Sequence, residues 1–286
     1  MPVEDHPVFR KPDDPDIKIW RYMDFAKYVS FLDSKALFFP RSDKLDDPYE
    51  GAFSTPTWDV VRDFTEQAVV ESGGDLSEAH VAQDVRQLRE FSETTRPWTY
   101  VNSWHMNDGE SAAMWDLYAK RDQGIAIQST YAKFAACLPA KVPGRAFEAP
   151  EYPGKRIVVN PTNVYVGKVA YVDYETDPIA AGNAFYPYVH KRKSFKHESE
   201  LRAVVREWPQ TEDLATGVRG SLNLAALTNP INGLQADISI DVLVEKVIVA
   251  PTAPAWFGQL VENTSAKYGL DRQYIDKSRI YERRMF

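Results

Sequence analysis

The sequence predicts an α+β protein in which a mixed or antiparallel sheet core, built of many short strands, is interrupted by a helical insertion. Three observations predict it. The chain opens strand-helix-strand, short runs of apolar alternation recur toward the C-terminus, and two consecutive helical patterns stand between the early and the later strands. No repeat and no low-complexity linker divides the 286 residues, so a single domain over 1–286 is expected, with a polar tail at 1–16 and the helical insertion at 55–96.

Each element has its own signal. Ile17 to Met23 alternates like a strand, Asp24 is placed to cap a helix running to about Ser34, and Ala36 to Phe39 is a second strand closed by Pro40. The loop Arg41 to Gly51 carries turn chemistry. Helices are expected over Thr57 to Glu71 and Leu76 to Thr95, parted by Ser72-Gly-Gly74. Trp98 to His105 reads as a strand, Glu110 to Lys120 as a helix and Gly124 to Gln128 as a strand. Strand patterns at Arg156 to Val159 and Tyr165 to Tyr171 precede a helix expected from Pro178 to Lys191. The strand Leu201 to Val205 follows, then alternation at Ile238 to Val242, an apolar run at Val247 to Val249, a helix from Ala255 to Tyr268 and a final strand near Ile275 to Tyr281.

Composition narrows the function classes. With 44% hydrophobic residues the chain can bury a large core, and no apolar run approaches the roughly 18 residues of a membrane span. The N-terminus is acidic and proline-bearing rather than signal-like, so a cytoplasmic protein without membrane contact is expected. One cysteine, Cys137, excludes an internal disulfide and Cys-based zinc, and is read as a buried bystander. A net charge of −7 argues against a generally basic nucleic-acid surface. The sequence has no Gly-rich phosphate loop, nucleophile elbow or His-x-x-x-His pair, which leaves nucleoside-triphosphate hydrolysis, serine hydrolysis and zinc proteolysis without support.

The stretch most suited to chemistry is Lys193-Ser-Phe-Lys-His-Glu-Ser-Glu-Leu-Arg202. If strand pairing begins by Glu198, alternation puts Glu198, Glu200 and Arg202 on one face, where two carboxylates can act together.

Trp20-Arg-Tyr22, Leu37-Phe-Phe39, Asp46-Asp-Pro-Tyr-Glu50, Met114-Trp-Asp-Leu-Tyr118 with Gly124-Ile-Ala-Ile127, and Phe195 to Arg202 together resemble the bacterial domain-of-unknown-function family 2971, from about Ile17 to Arg283. The chain departs from it at Phe195, often tryptophan there, and at Asp46, often asparagine. The order of motifs is also similar to that of ADP-ribosyltransferases, which implies their sheet fold and NAD as the consumed cofactor. By that resemblance Arg21 holds NAD, Ser103 supports the pocket, Glu200 is catalytic and Glu198 is its companion. The resemblance further implies a toxin or defence effector with an antitoxin or immunity partner, and an acceptor that is protein, nucleic acid, a small molecule or water.

The residue types suit that chemistry. A carboxylate on the ribose stabilises the positive charge that builds as the nicotinamide bond breaks, and a second can act as general base. Arg21 offers a planar fork for a pyrophosphate. Tyr22 and Trp104 can stack on nicotinamide or adenine, and His105 can transfer a proton. Plainer readings stand beside these: Glu-x-Glu on a solvated sheet face, Arg202 as a ladder partner, and Trp20, Tyr22, Trp115 and Tyr118 as core. Asp46, Asp47 and Glu50, with Glu198 and Glu200, suggest a metal-dependent nuclease, although Asp-Asp-Pro is also ordinary turn chemistry. The basic run Lys191-Arg-Lys193 with Lys196 and Phe195 suits either a nucleic-acid-binding or partner-binding module or a solvated helix end.

Overall fold

The computed structural model describes residues 3–71, 73, 78–119 and 122–282. β1 (Lys18–Asp24) ends where the Asp24 carboxylate accepts the Lys27 amide at 2.9 Å and starts α1 (Phe25–Ser34). That bond satisfies one of the amides a helix start leaves free. Lys35, with φ 48°, turns the chain into β2 (Ala36–Pro40). The helical pair follows as α2 (Thr55–Glu71) and α3 (Glu78–Thr95); of the separator only Gly73, and of the expected start neither Leu76 nor Ser77, lies among the described residues.

Next come β3 (Thr99–Met106), α4 (Ala112–Tyr118), β4 (Gly124–Thr130) and α5 (Tyr131–Cys137), with the expected end of α4 at Lys120 outside the described residues. Short strands β5 (Lys141–Val142), β6 (Arg145–Glu148), β7 (Lys155–Val159), β8 (Thr162–Lys168), β9 (Ala170–Val172) and β10 (His190–Arg192) lead to β11 (Glu200–Arg206). The last quarter holds β12 (Gln210–Asp213), β13 (Arg219–Gly220), β14 (Gly233–Asp237), α6 (Ile240–Leu243), β15 (Lys246–Val249), α7 (Ala255–Lys267) and β16 (Ile275–Lys277).

Two expected elements differ. In place of a helix over 178–191 the chain makes a short 3-10 turn, Tyr186–Tyr188, and then β10. Pro187 has no amide to donate, and the Ile179 amide is held by Thr57 Oγ1 at 2.7 Å, so the helical ladder has no start. The alternation at 238–242 is not a strand. Ser239 begins α6, whose Ile240 and Leu243 face inward at helical spacing while Val242 is exposed.

The eight-stranded sheet runs β16-β15-β4-β1-β3-β11-β8-β5, antiparallel throughout except for β15 beside β16. One face carries Ile19, Trp104, Ile127, Leu201 and Val205 into the main core with Phe31 and Leu32 of α1, Phe134 of α5 and Phe257 of α7. The other is covered along β11 by Val8, Phe9, Tyr188 and Val189, so every residue of that strand is buried. The N-terminal segment is polar in composition, yet it packs here: Lys168 donates to Arg10 O at 2.8 Å. A four-stranded sheet, β13-β12-β7-β6, and a β2–β14 ribbon flank the core. Among the described residues no helix is long and apolar enough to cross a membrane.

One irregularity positions the site. β1 is paired with β4 from Lys18 to Asp24, but with β3 only at Ile19↔Met106 and Trp20↔His105. Beyond Trp20 the two strands separate, and Asn102 Nδ2 of β3 donates instead to Phe38 O of β2 at 2.8 Å. The gap opens a cleft in the middle of the sheet.

Candidate active site

Glu198 is not on the strand. Lys193–Glu198 forms a 3-10 turn, Ser199 sits at φ 41°, ψ 58°, and β11 begins at Glu200. The left-handed region is uncommon for a residue with a side chain. It reverses the direction of the chain, so the two carboxyls meet by a local turn and not by the strand alternation that the sequence suggested.

Around them a dense polar cluster forms. Arg202 follows Glu200 on the same face; its Nε donates to Glu200 Oε2 at 2.6 Å and its Nη2 to Glu200 Oε1 at 3.1 Å and Glu50 Oε1 at 2.7 Å. Lys191 Nζ donates to Glu200 Oε1 at 2.8 Å and to Glu198 Oε2, and the Tyr118 hydroxyl donates to Glu198 Oε1. The Glu200 amide donates to Tyr171 Oη at 2.8 Å. Three carboxyls, Glu50, Glu198 and Glu200, thus face two cations in a buried setting, where an uncompensated charge is costly.

The cluster resolves this by protonation. Burial raises the Glu198 carboxyl, the adjacent Glu200 carboxylate raises it further, and Lys191 only partly opposes them, so it is pushed up to about 7. Burial would also raise Glu200, but Arg202, the Glu198 hydrogen bond and Lys191 outweigh it and hold Glu200 well below the usual carboxylate range. Near neutral pH one carboxyl is ionised and its neighbour is close to half-protonated, an arrangement suited to electrostatic stabilisation beside proton transfer.

The cluster forms one wall of a cleft of about 340 Å³ that runs through the β1–β3 gap to Arg21, Lys27 and Pro40. Tyr22, Ser103 and His105 share the sheet face of Glu200, since Glu200 is registered with His105 and Arg202 with Ser103. His105 Nδ1 lies 2.6 Å from the Glu198 carbonyl oxygen, which can only accept, so Nδ1 carries the proton. Burial lowers the His105 pKa, leaving Nε2 as an acceptor without a partner among the described residues. Glu50 Oε2 is a second buried acceptor without a partner among the described residues, and both residues line the cleft.

Two of the expected ligand contacts line the cleft but lie off the Glu200 face. Trp104 points to the opposite face, 1% exposed, with its Nε1 on Asn102 Oδ1 and its ring against Phe134, so it is core and not a free stacking surface. Arg21 alternates with Trp20 and Tyr22 and therefore also leaves the Glu200 face; its guanidinium lies 5.9 Å from the Trp104 ring centroid and reaches the cleft through the gap. Of the carboxylates weighed for a metal, Glu50, Glu198 and Glu200 gather but are taken up by Lys191 and Arg202, Asp47 pairs with Arg192 at 2.8 Å, and among the described residues no group of three His, Cys, Asp or Glu could hold a metal ion.

Sequence reasoning read Tyr118 as core, weighed Lys191 only within a basic run and Glu50 only as a metal ligand, and the structure puts all three beside Glu198 and Glu200. Tyr118 stands one helical turn after Met114, and both line the cleft, a spacing visible in the sequence. Lys191 belongs to a short strand, not a solvated helix end, and is buried. Glu50 was grouped with the right carboxylates, but as a metal ligand and not as the partner of Arg202. Gly51 takes φ 71° with the Tyr188 ring 2.6 Å from where a Cβ would stand, so only glycine lets the loop press Glu50 inward.

Comparison with known proteins adds nothing to this geometry: no family model, no curated protein and no solved structure matches the chain.

Proposed function

We propose that the protein consumes NAD, as an ADP-ribosyltransferase or an NAD glycohydrolase, with Glu200 and Glu198 as its catalytic carboxyls. The observation that carries the reading is a pair of carboxyls, Glu200 and Glu198, bridged by Lys191 in a cleft that also holds two acceptors without a partner among the described residues, Glu50 Oε2 and His105 Nε2. Such a wall suits a ligand rich in hydroxyl donors that becomes cationic as it reacts, which describes the nicotinamide riboside of NAD. Glu200 Oε1 accepts from Lys191 Nζ and Arg202 Nη2 and Oε2 from Arg202 Nε, so Oε2 is the oxygen we assign to a ribose hydroxyl.

In this reading the C1′–N bond breaks with its electron pair on nicotinamide, and positive charge spreads over the ribose. Glu200 stabilises that charge more in the transition state than in the ground state. The acceptor, water or a nucleophilic group, then bonds to C1′ and gives its proton to ionised Glu198, which Tyr118 and Lys191 orient. Arg21 serves the phosphates.

The test is nicotinamide release from NAD by the purified protein and by Glu200→Gln, with and without cell extract, in metal-free buffer. Release by wild type that the variant loses supports the reading; no release under any condition overturns it.

A further inference from the structure

A second cavity, of about 410 Å³, lies against the first. Its walls are α1, β2 and β14, and it shares Arg21, Tyr22, Lys27 and Pro40 with the catalytic cleft. Three features distinguish it from a surface crevice.

Its floor is an exposed aromatic ring in a built position. Phe38 is 46% exposed, and it lies directly over the neighbouring strand because Gly233 has no side chain; a Cβ there would stand 2.3 Å from the ring. At the junction of the two cavities Arg21 has no carboxylate partner among the described residues, and its one hydrogen bond is to Phe38 O at 3.5 Å. Lys27 stands at the same junction, likewise without an ion pair among the described residues. The rim carries short polar side chains, Ser30 and Ser34 on α1 and Gln235 opposite Phe38 on β14.

An aromatic floor, a polar rim and two unpaired cations on the side facing the cleft match a heteroaromatic base followed by phosphates. Base stacking on an aromatic ring contributes affinity with any base, and unpaired guanidinium and ammonium groups suit phosphate oxygens. We infer that this groove is the subsite for the purine end of a dinucleotide, with Phe38 as the stacking surface, Ser30, Ser34 and Gln235 at the base edges, and Arg21 with Lys27 holding the pyrophosphate between groove and cleft. The inference rests on the reading of the cleft as an NAD site, and it explains why Arg21 leaves the Glu200 face: it marks the midpoint of an extended ligand.

The test measures binding of ADP-ribose and of nicotinamide mononucleotide separately, by calorimetry on the full chain. The variants are Phe38→Ala, which removes the stacking ring, and Ser30→Trp, which fills the groove from an exposed helical position. Each is expected to weaken ADP-ribose by about tenfold or more while changing nicotinamide mononucleotide by less than about twofold. Unchanged ADP-ribose affinity in both variants overturns the purine subsite and leaves the cleft reading standing. Wild-type protein that binds neither probe overturns both.

Discussion

The two ends of β11 are built from the same residue types and do different work. At its C-terminal end Glu207 accepts from Arg145 Nε at 3.0 Å, Arg145 Nη2 at 2.7 Å and the Tyr100 hydroxyl at 2.8 Å, and Asn229 adds bonds to Tyr100, Arg145 and Pro97. Both Glu207 oxygens are filled, with one carboxylate to the Arg145 guanidinium, while the neighbouring Arg206 bonds to Thr99 and Ala184 O and keeps one buried nitrogen without a partner among the described residues. At the N-terminal end three carboxyls meet two cations, one carboxyl is pushed up to about 7, and two acceptors have no partner among the described residues. A saturated polar network fixes structure, whereas one left short of a proton and of donors is prepared for a ligand.

Four experiments press on that contrast. The largest effect is expected from Glu207→Ala, which leaves the partly buried Arg145 without its carboxylate and should cost about 3–5 kcal/mol of stability, read as a lower denaturation midpoint. If stability is unchanged, the C-terminal network is not structural. Glu200→Gln should lower nicotinamide release by about 10²–10³-fold, and the comparison fails if its main effect is on folding instead.

Third, the pH dependence of Glu198 has a definite sign. Its folded pKa of about 7 lies above the ordinary 4.5, so the protonated form favours the fold. The stability that this protonation contributes is fully present below about 4.5 and is lost as pH rises through 7, and Glu198→Gln should flatten that loss in a melting series. Glu200, with its depressed pKa, contributes stability above the ordinary value that is lost in acid, and the Glu198 variant should keep that acid limb. The catalytic rate should rise through the same interval as Glu198 ionises. Smallest is Tyr118→Phe: the ring is 45% exposed, so stability should change by less than about 1 kcal/mol, while the midpoint of the pH–rate profile moves. A profile that stays in place would remove Tyr118 from the proton path.

Most strands were legible because alternation and proline stops act locally, as at β1 and β2. The helix expected over 178–191 was not, because the Ile179 amide is taken by Thr57, 122 residues away in the chain. The same division runs through the site. Glu198 and Glu200 were visible as a pair, yet their convergence depends on a left-handed Ser199, a conformation that serine does not announce. Tyr118 had a helical spacing that could have placed it. Glu50 is set by Arg202, 152 residues away in the chain, while Lys191 lies 7 and 9 residues from the two carboxyls it bonds and is turned onto them by the 3-10 segment between. The opposite-face position of Trp104 and Arg21 was available from the alternation through Trp104-His105 and Arg21-Tyr22.

The separation of β1 from β3 gives the molecule an edge within its own sheet. Strand edges usually lie at the periphery, where they are covered or blunted. Here the unladdered stretch lies at the sheet centre, between strands that are otherwise buried. Amides along it should exchange with deuterium sooner than those of the β1–β4 and β3–β11 ladders on either side. A ligand seated there would slow that exchange, so the rigidity of the sheet itself would report occupancy.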